Sequence, residues 1–170
     1  MNGLSFDRFS KKIHIKAPIE KVYRCWGTTD GICSWFLRHA EYTDPDGKVR
    51  AGEDPIQKGD RYAWEWHNWD GQECGEVLEA NGHDRFEITF EQCLVTVNLQ
   101  RTETTTLLCL TQSQIPTDDE SKLNLHHGCS NGWTFWLTNL KAFLEHGILL
   151  NETEKDLRNV PLAGFEFVNM

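Results

Sequence analysis

Long apolar runs are missing from this sequence of 170 residues. No stretch approaches the roughly 20 apolar residues that a membrane-spanning helix needs, and residues 1–10 lack the apolar region of a secretory signal peptide. Low-complexity tracts, internal repeats and interdomain linkers are also missing, and the length suits about one domain. We therefore expect a globular, cytoplasmic protein.

Basic residues are also few. The chain has 17 Lys and Arg against 26 Asp and Glu, which gives a formal net charge of −9. An acidic surface repels phosphate backbones and anionic lipid head groups, so we expect neither a nucleic acid nor a membrane as partner. With 39% hydrophobic and 25% charged residues, the composition excludes disordered and fibrous classes.

Motifs for metal or nucleophilic chemistry are scarce. No two of the six cysteines form a C-x-x-C pair, so we expect reduced, packed thiols rather than zinc ligands or disulfides. No G-x-S-x-G elbow is present. The neighbours His126 and His127 would point to opposite sides of an extended segment, which disfavours a shared metal. We therefore assign no catalytic residue, metal or cofactor.

The order of predicted elements indicates an α+β fold. Phe9–Lys16 alternates like a strand, and two short helices follow, from Ile19 and over Gly31–Leu37. Turn signals then separate further predicted strands, which are His39–Thr43, Arg61–His67, Gln72–Ala80, Arg85–Phe90, Cys93–Arg101 and Thr105–Gln112. Asp44–Gly59, rich in Gly, Pro and Asp, is predicted to be a long loop.

The last predicted element is a long amphipathic helix. Trp133, Leu137, Leu140 and Leu144 share one face of it, Ser130 or Asn131 could cap its start, and Gly147 could end it. Residues 115–125 are expected to form a polar loop. Short connections make neighbouring strands antiparallel, and the sheet must cover one apolar face. We expect the sheet to curl around this helix.

Four local motifs occur in an order that matches a known family. They are I-x-I-x-A-P-x-E-K-V-Y at Ile13–Tyr23, G-I-C-S-W-F at Gly31–Phe36, G-E-V-L-E at Gly75–Glu79, and G-W-x-x-x-L-x-x-L-x-x-x-L-E at Gly132–Glu145. The chain resembles the START-like (SRPBCC) superfamily, and within it the family related to the C-terminal domain of the heat-shock-protein-90 ATPase activator. The resemblance implies a helix-grip fold of about seven strands.

The resemblance also implies a division of the chain and a range of functions. Residues 9–147 would form the START-like domain, and residues 148–170 a C-terminal extension docked on it. Proteins of this fold bind hydrophobic molecules, catalyse cyclisation or act as cochaperone domains in the stress response. The family has no shared catalytic motif to carry over.

Seven tryptophans among nineteen aromatic residues indicate either a core of large side chains or an aromatic-lined cavity. We favour a cavity for a small hydrophobic ligand. Its predicted lining is Trp35, Phe36, Trp64, Trp66, Phe86, Phe90, Gln112, His126, Trp133 and Trp136, with Trp35 and Phe36 at one end and His126 at the mouth beside Trp133. Gln112 could bond the ligand or the backbone.

Two other functions stay open. One is a cochaperone-like interaction module with a chaperone as partner. The other is a cyclase- or hydrolase-type enzyme, which would need an inward carboxyl group such as Glu65 or Glu76, although an outward position on the sheet is the default for both. Burial would raise the pKa of such a carboxyl and suit it to acid–base catalysis.

Overall fold

The computed structural model describes residues 5–170, which form one antiparallel sheet of seven strands and several helices. The strands are β1 (Arg8–Ile15), β2 (His39–Thr43), β3 (Arg61–Glu65), β4 (Glu73–Ala80), β5 (Arg85–Phe90), β6 (Cys93–Arg101) and β7 (Thr106–Ser113). The helices are α1 (Ile19–Gly27), α2 (Thr29–Cys33), α3 (Asp119–Ser121), a π-helical segment (Lys122–Gly128), α4 (Cys129–His146) and α5 (Ala163–Glu166).

The strand order in the sheet is β1-β7-β6-β5-β4-β3-β2. Strands β2 to β7 form an antiparallel meander, in which every connection after β3 is too short for a parallel crossover. The first strand, β1, pairs with the last, β7. The curved sheet around a long C-terminal helix confirms the predicted helix-grip fold.

Alternation of side chains places the core on one face of the sheet. Val95 and Val97 of β6 and Leu108 and Leu110 of β7 are at most 1% exposed, and the residues between them are more exposed. Full burial of one such side chain contributes about 1.5–3 kcal/mol. The apolar stripe of α4 is buried against the same core.

The junction between α1 and α2 is set by two residues. The side-chain oxygen of Thr28 accepts a hydrogen bond from the backbone N–H of Gly31 at 2.9 Å, which caps α2. A Cβ atom on Gly31 would lie 1.9 Å from the carbonyl oxygen of Arg24, so only glycine permits this close approach. The tight junction brings α1 and the segment after α2 to the same end of the core.

Residues 44–60, between β2 and β3, form the predicted long loop. An ion pair anchors this loop. Asp60 is fully buried, and its carboxylate accepts two hydrogen bonds from the guanidinium of Arg50. Ile56 is 3% exposed and donates its backbone N–H to the carbonyl oxygen of Gly27 at 2.9 Å. The loop is therefore packed onto α1.

The expected polar loop over residues 115–125 and the cap at Ser130 or Asn131 were wrong. Helical structure begins at Asp119 and continues to His146, because the Asp118 side chain accepts the N–H of Ser121 at 2.9 Å and caps the first turn. The π-helical segment widens the next turns and interrupts the 3.6-residue period that a sequence pattern reveals. His126 and His127 therefore lie on a helix rather than in an extended segment.

Gly147 ends α4 with a φ of 70°, a left-handed conformation that glycine adopts without strain. Residues 148–170 follow as an irregular segment that contains α5, and we call these residues the tail. None of the helices formed by residues 5–170 is long and apolar enough to cross a membrane.

Candidate functional site

Nine aromatic side chains meet between the sheet and the helices, and we call them the aromatic cluster. They are Trp26, Trp35, Phe36, Trp64, Trp66, Phe86, Phe90, Trp133 and Trp136. All except Trp66 are buried. They come from α1, the segment after α2, β3 and the residues after it, β5 and α4, so the cluster joins all layers of the fold.

Phe36 lies in the middle of the aromatic cluster rather than at one end. Its ring centroid lies 5.7 Å from that of Trp64 and 5.5 Å from that of Trp66 on the sheet side. On the helix side the distances are 5.4 Å to Trp133 and 5.0 Å to Trp136. One ring thus connects the sheet to α4.

The rings of the aromatic cluster are in direct contact. Neighbouring centroids are separated by 4.9 to 6.4 Å, with tilted, stacked and edge-to-face arrangements. Such distances are typical of aromatic pairs in contact. A ligand would therefore have to separate rings that touch each other in this structure.

Gln112 holds one tryptophan of the aromatic cluster in place. It is fully buried on β7, and its Oε1 atom accepts a hydrogen bond from Trp133 Nε1 at 2.9 Å. The bond joins the sheet to α4 across the core. Its Nε2 atom has no hydrogen-bond partner among residues 5–170.

A second buried donor without a partner, after Gln112 Nε2, is the indole N–H of Trp26, a residue absent from the predicted lining. Trp26 is 1% exposed and its ring contacts Trp35, Phe86 and Trp133 at 4.9, 6.2 and 6.1 Å. Within residues 5–170 no acceptor reaches its Nε1 atom, although a buried donor without a partner costs about 1–3 kcal/mol. The spacing of Ile19, Val22 and Trp26 is that of one helix face, which is the sequence signal that could have found this residue.

His126 lies outside the aromatic cluster. Its ring makes edge-to-face contacts with Phe6 and Phe9, with centroids 5.2 and 5.5 Å apart. His127 is exposed, and a ring nitrogen lies 3.2 Å from Nδ2 of Asn131. The two histidines thus pack with residues near the N-terminus and on the surface of α4.

Glu65 and Glu76, the carboxylates considered for catalysis, and the nearby Glu73 make their contacts outside the aromatic cluster. Glu65 accepts a hydrogen bond from Arg38 at 2.6 Å, and Glu76 is exposed. Partial burial raises the pKa of Glu73, which accepts the backbone N–H of Glu91 at 2.7 Å. In the part of the chain that the structure describes, none of these three carboxylates accepts a hydrogen bond from a residue of the aromatic cluster.

Two buried asparagines attach the tail beside the aromatic cluster. Asn139 of α4 donates to the carbonyl oxygen of Trp35 and accepts the N–H of Leu150, both at 2.6 Å. Asn68 donates to the carbonyl oxygen of Glu152 and accepts the N–H of Leu157, both at 2.9 Å. Neither asparagine was predicted from the sequence, because single polar residues within apolar segments leave no pattern.

An open groove of about 430 Å³ lies between the tail and the connection from β3 to β4. Its apolar lining includes Trp69, Leu162 and Phe165, which are 47%, 65% and 56% exposed. A Cβ atom on Gly164 would lie 2.5 Å from the Trp69 ring, so the glycine allows the tail to approach this ring closely. Asn68, Asp70 and Arg158 contribute polar groups to the same lining.

The fold and its aromatic interior define a helix-grip protein, and comparisons with known proteins identify its family. The sequence matches the family described as Activator of Hsp90 ATPase homolog 1-like protein over residues 16–145. The chain belongs to this family. No match was found among curated proteins.

Several solved structures share the fold. Protein SSP2350 from Staphylococcus saprophyticus has a TM-score of 0.67 at 17% identity, over 84% of this chain and 95% of that chain. The Aha1 dimer from Colwellia psychrerythraea has a TM-score of 0.64 at 20% identity, over 82% of this chain and 97% of that chain. DynU16, from the dynemicin biosynthetic locus, has a TM-score of 0.67 at 18% identity. The match covers 86% of this chain and 50% of the DynU16 chain.

Proposed function

We propose that this protein binds a small, flat, hydrophobic molecule that carries a hydrogen-bond acceptor, between the sheet and α4. The unsatisfied indole N–H of Trp26 supports this proposal most directly. It lies in the most aromatic part of the core, where an acceptor on a ligand would remove the cost of a buried donor without a partner.

The surroundings of Trp26 support a flat, uncharged ligand. The rings of Trp35, Phe86 and Trp133 lie within 6.2 Å of it, and aromatic rings favour stacked or edge-to-face neighbours. A charged group in such an apolar site would lose its hydration without compensation. A fused aromatic ligand with a carbonyl group could stack against these rings, and its carbonyl oxygen could accept the hydrogen bond of the Trp26 indole N–H.

Ring displacement gives a route for entry. Trp66 is the one member of the aromatic cluster that is not buried, and it contacts Phe36 and Trp64. Movement of the Trp66 ring would open a path to Phe36 and from there to Trp133. The ligand would then replace contacts between rings with its own contacts.

A matched pair of probes tests the proposal. 9-Fluorenone and fluorene have the same flat shape, but only fluorenone has a carbonyl acceptor. Quenching of the intrinsic tryptophan fluorescence gives the affinity of each. In Trp26→Phe, the affinity for fluorenone relative to fluorene should fall about 2- to 10-fold, because one hydrogen bond contributes about 0.5–1.5 kcal/mol.

Trp35→Phe is the control. It removes an indole N–H that already donates to the carbonyl oxygen of Cys25 at 2.9 Å, so the relative affinity for fluorenone should stay at the wild-type value. Failure of both probes to bind the wild-type protein would overturn the proposal. An unchanged affinity ratio in Trp26→Phe would also overturn it.

A protein-interaction role is the second candidate, because the tail exposes many apolar side chains. Ile148, Leu149, Leu162, Phe165, Phe167 and Val168 are 43% to 81% exposed, and clustered apolar surface favours protein contacts. The family description names the Hsp90 ATPase. Stimulation of a purified Hsp90 ATPase that is lost in Phe165→Lys would favour this role over ligand binding.

A further inference from the structure

A partly buried carboxylate lies on the inner face of the sheet at the edge of the aromatic cluster. Glu73 is the direct partner of Trp64 in the ladder between β3 and β4, and direct partners in an antiparallel pair point to the same face. Trp64 is fully buried on the inner face. A Cβ atom on Gly75 would lie 2.6 Å from the ring of Tyr62, which is also buried. Side chains alternate along a strand, so Glu73, two residues before Gly75, points to this face as well.

The turn between β5 and β6 holds the carboxylate of Glu73 in place. Its Oε1 atom accepts the backbone N–H of Glu91 at 2.7 Å. Glu91 has a φ of 53°, a left-handed conformation that is uncommon for residues other than glycine. It directly follows Phe90, whose ring centroid lies 6.4 Å from that of Trp64. The hydrogen bond therefore fixes the carboxylate next to the backbone of a second residue of the aromatic cluster.

The second oxygen of this carboxylate is unused. Within residues 5–170, Glu73 accepts only the hydrogen bond from Glu91, and no lysine, arginine or histidine forms an ion pair with it. Partial burial and the charge of Glu91 raise the pKa of Glu73. A carboxylate that has lost part of its hydration is stabilised by a hydrogen-bond donor. The turn needs only Oε1, so Oε2 stays available for such a donor.

We propose that Glu73 binds a hydroxyl group of the ligand, which is therefore a flat hydroxyaryl ketone. Its carbonyl oxygen accepts from Trp26, and its hydroxyl group donates to Glu73 Oε2. This inference rests on the proposed function and specifies the chemical class of the ligand. Trp133 links the two parts of the site, because its ring centroid lies 6.1 Å from that of Trp26 and 5.7 Å from that of Phe90. A fused ring system beside Trp133 would extend towards both polar groups.

An uncharged donor suits this position better than a charged group. The carboxylates of Glu73 and Glu91 would repel an acidic ligand, and an ammonium group would lose its hydration among the aromatic rings. An aromatic hydroxyl group, with a pKa of about 10, is neutral at physiological pH. It forms a short, charge-assisted hydrogen bond with a carboxylate. A hydroxyaryl ketone thus satisfies Glu73 and keeps the flat, uncharged character that the surroundings of Trp26 favour.

Fluorenones with and without a hydrogen-bond donor test the assignment. The hydroxyl group is placed at carbon 2, 3 or 4 of 9-fluorenone, and each isomer is compared with its methoxy counterpart, which carries the same oxygen but no donor. Quenching of the intrinsic tryptophan fluorescence gives each affinity. The wild-type protein should bind the best hydroxyl isomer about 10-fold more tightly than its methoxy counterpart, because hydrogen bonds to charged groups are strong.

Glu73→Gln should remove this preference for the hydroxyl probe and still bind unsubstituted 9-fluorenone. The glutamine keeps a side-chain oxygen for the backbone N–H of Glu91, so the turn retains its hydrogen bond. Glu76→Gln is the matched control. It removes the same charge from the same strand at an exposed residue on the opposite face, and it should retain the wild-type preference.

Failure of this inference differs from failure of the proposed function. If 9-fluorenone binds but no hydroxyl isomer is preferred, or if the preference survives in Glu73→Gln, the role of Glu73 is overturned and the ligand site stands. If none of the probes binds the wild-type protein, both are overturned. Should Glu73→Gln fail to fold, carbon NMR of the wild-type protein decides. The carboxyl resonance of Glu73 should shift with the hydroxyl probe only, and equal shifts with the methoxy probe would overturn the assignment.

Discussion

The indole N–H of Trp133 donates a hydrogen bond to Gln112 Oε1 at 2.9 Å, with both side chains buried. In Trp133→Phe this oxygen loses its partner, so the free energy of unfolding should fall by about 1–3 kcal/mol beyond the loss from reduced ring size. Trp136→Phe makes a similar change in size at a residue without a side-chain hydrogen bond among residues 5–170. Urea denaturation of both variants measures the difference, and equal losses would contradict a role for the bond.

The ion pair between Arg50 and Asp60 should dominate the stability of the loop before β3. Asp60→Asn keeps the shape of the side chain but removes the carboxylate that pairs with the guanidinium of Arg50, whose side chain is 16% exposed. Removal of one partner from a buried pair costs about 3–5 kcal/mol. Glu53→Gln breaks the exposed pair with Arg24 and should lower the free energy of unfolding far less, because solvent screens the two charges. Similar losses in the two variants, measured by thermal or urea unfolding, would contradict this ranking.

Cys25 should contribute to a fall in stability at alkaline pH. Burial raises the pKa of its thiol from 9.0 to about 11, so the folded protein holds this proton more tightly than the unfolded chain. The Cys25 thiol therefore leaves the free energy of unfolding unchanged below about pH 9. Between about pH 9 and 11 it lowers this free energy, by at most about 3 kcal/mol. Urea denaturation under reducing conditions should show a shallower fall in Cys25→Ala. Cys74→Ala, at an exposed thiol, should retain the wild-type slope.

Local patterns predicted the sheet well because alternation is visible over a few residues. The bounds of β5 and β6 were predicted to the residue, since Asn81-Gly82 and the side-chain alternation mark them directly. The start of the C-terminal helix was missed because Asp118 caps a polar turn that continues into a π-helical segment. Strands and helices can thus be predicted from the sequence where the spacing of apolar residues is regular.

Contacts between distant residues explain most of what the sequence did not reveal about the candidate site. Gln112 and Trp133 are 21 residues apart, and Asn139 bonds Trp35 across 104 residues. No short-range pattern encodes such pairs, which depend on how the layers pack. The predicted aromatic residues converge, but the contact of their rings depends on side-chain rotamers that the pattern does not specify.

We propose that residues 148–170 fold as one unit with residues 9–147. The hydrogen bonds that Asn68 and Asn139 make with the tail support this unit, and a third link joins Arg158 to Asp70 at 3.3 Å. The exposed ion pair contributes little, so the buried asparagines should control the attachment of the tail.

Asn68→Ala tests this attachment. Asn68 is 3% exposed, donates to the carbonyl oxygen of Glu152 and accepts the backbone N–H of Leu157. Loss of both bonds leaves buried backbone groups without partners, which should lower the free energy of unfolding by about 1–3 kcal/mol. Hydrogen exchange at the Leu157 amide should accelerate more than exchange in the core strands. Asn131→Ala, at an exposed position on α4, should change neither quantity. Unchanged exchange at Leu157 in Asn68→Ala would show that the tail is attached by other contacts.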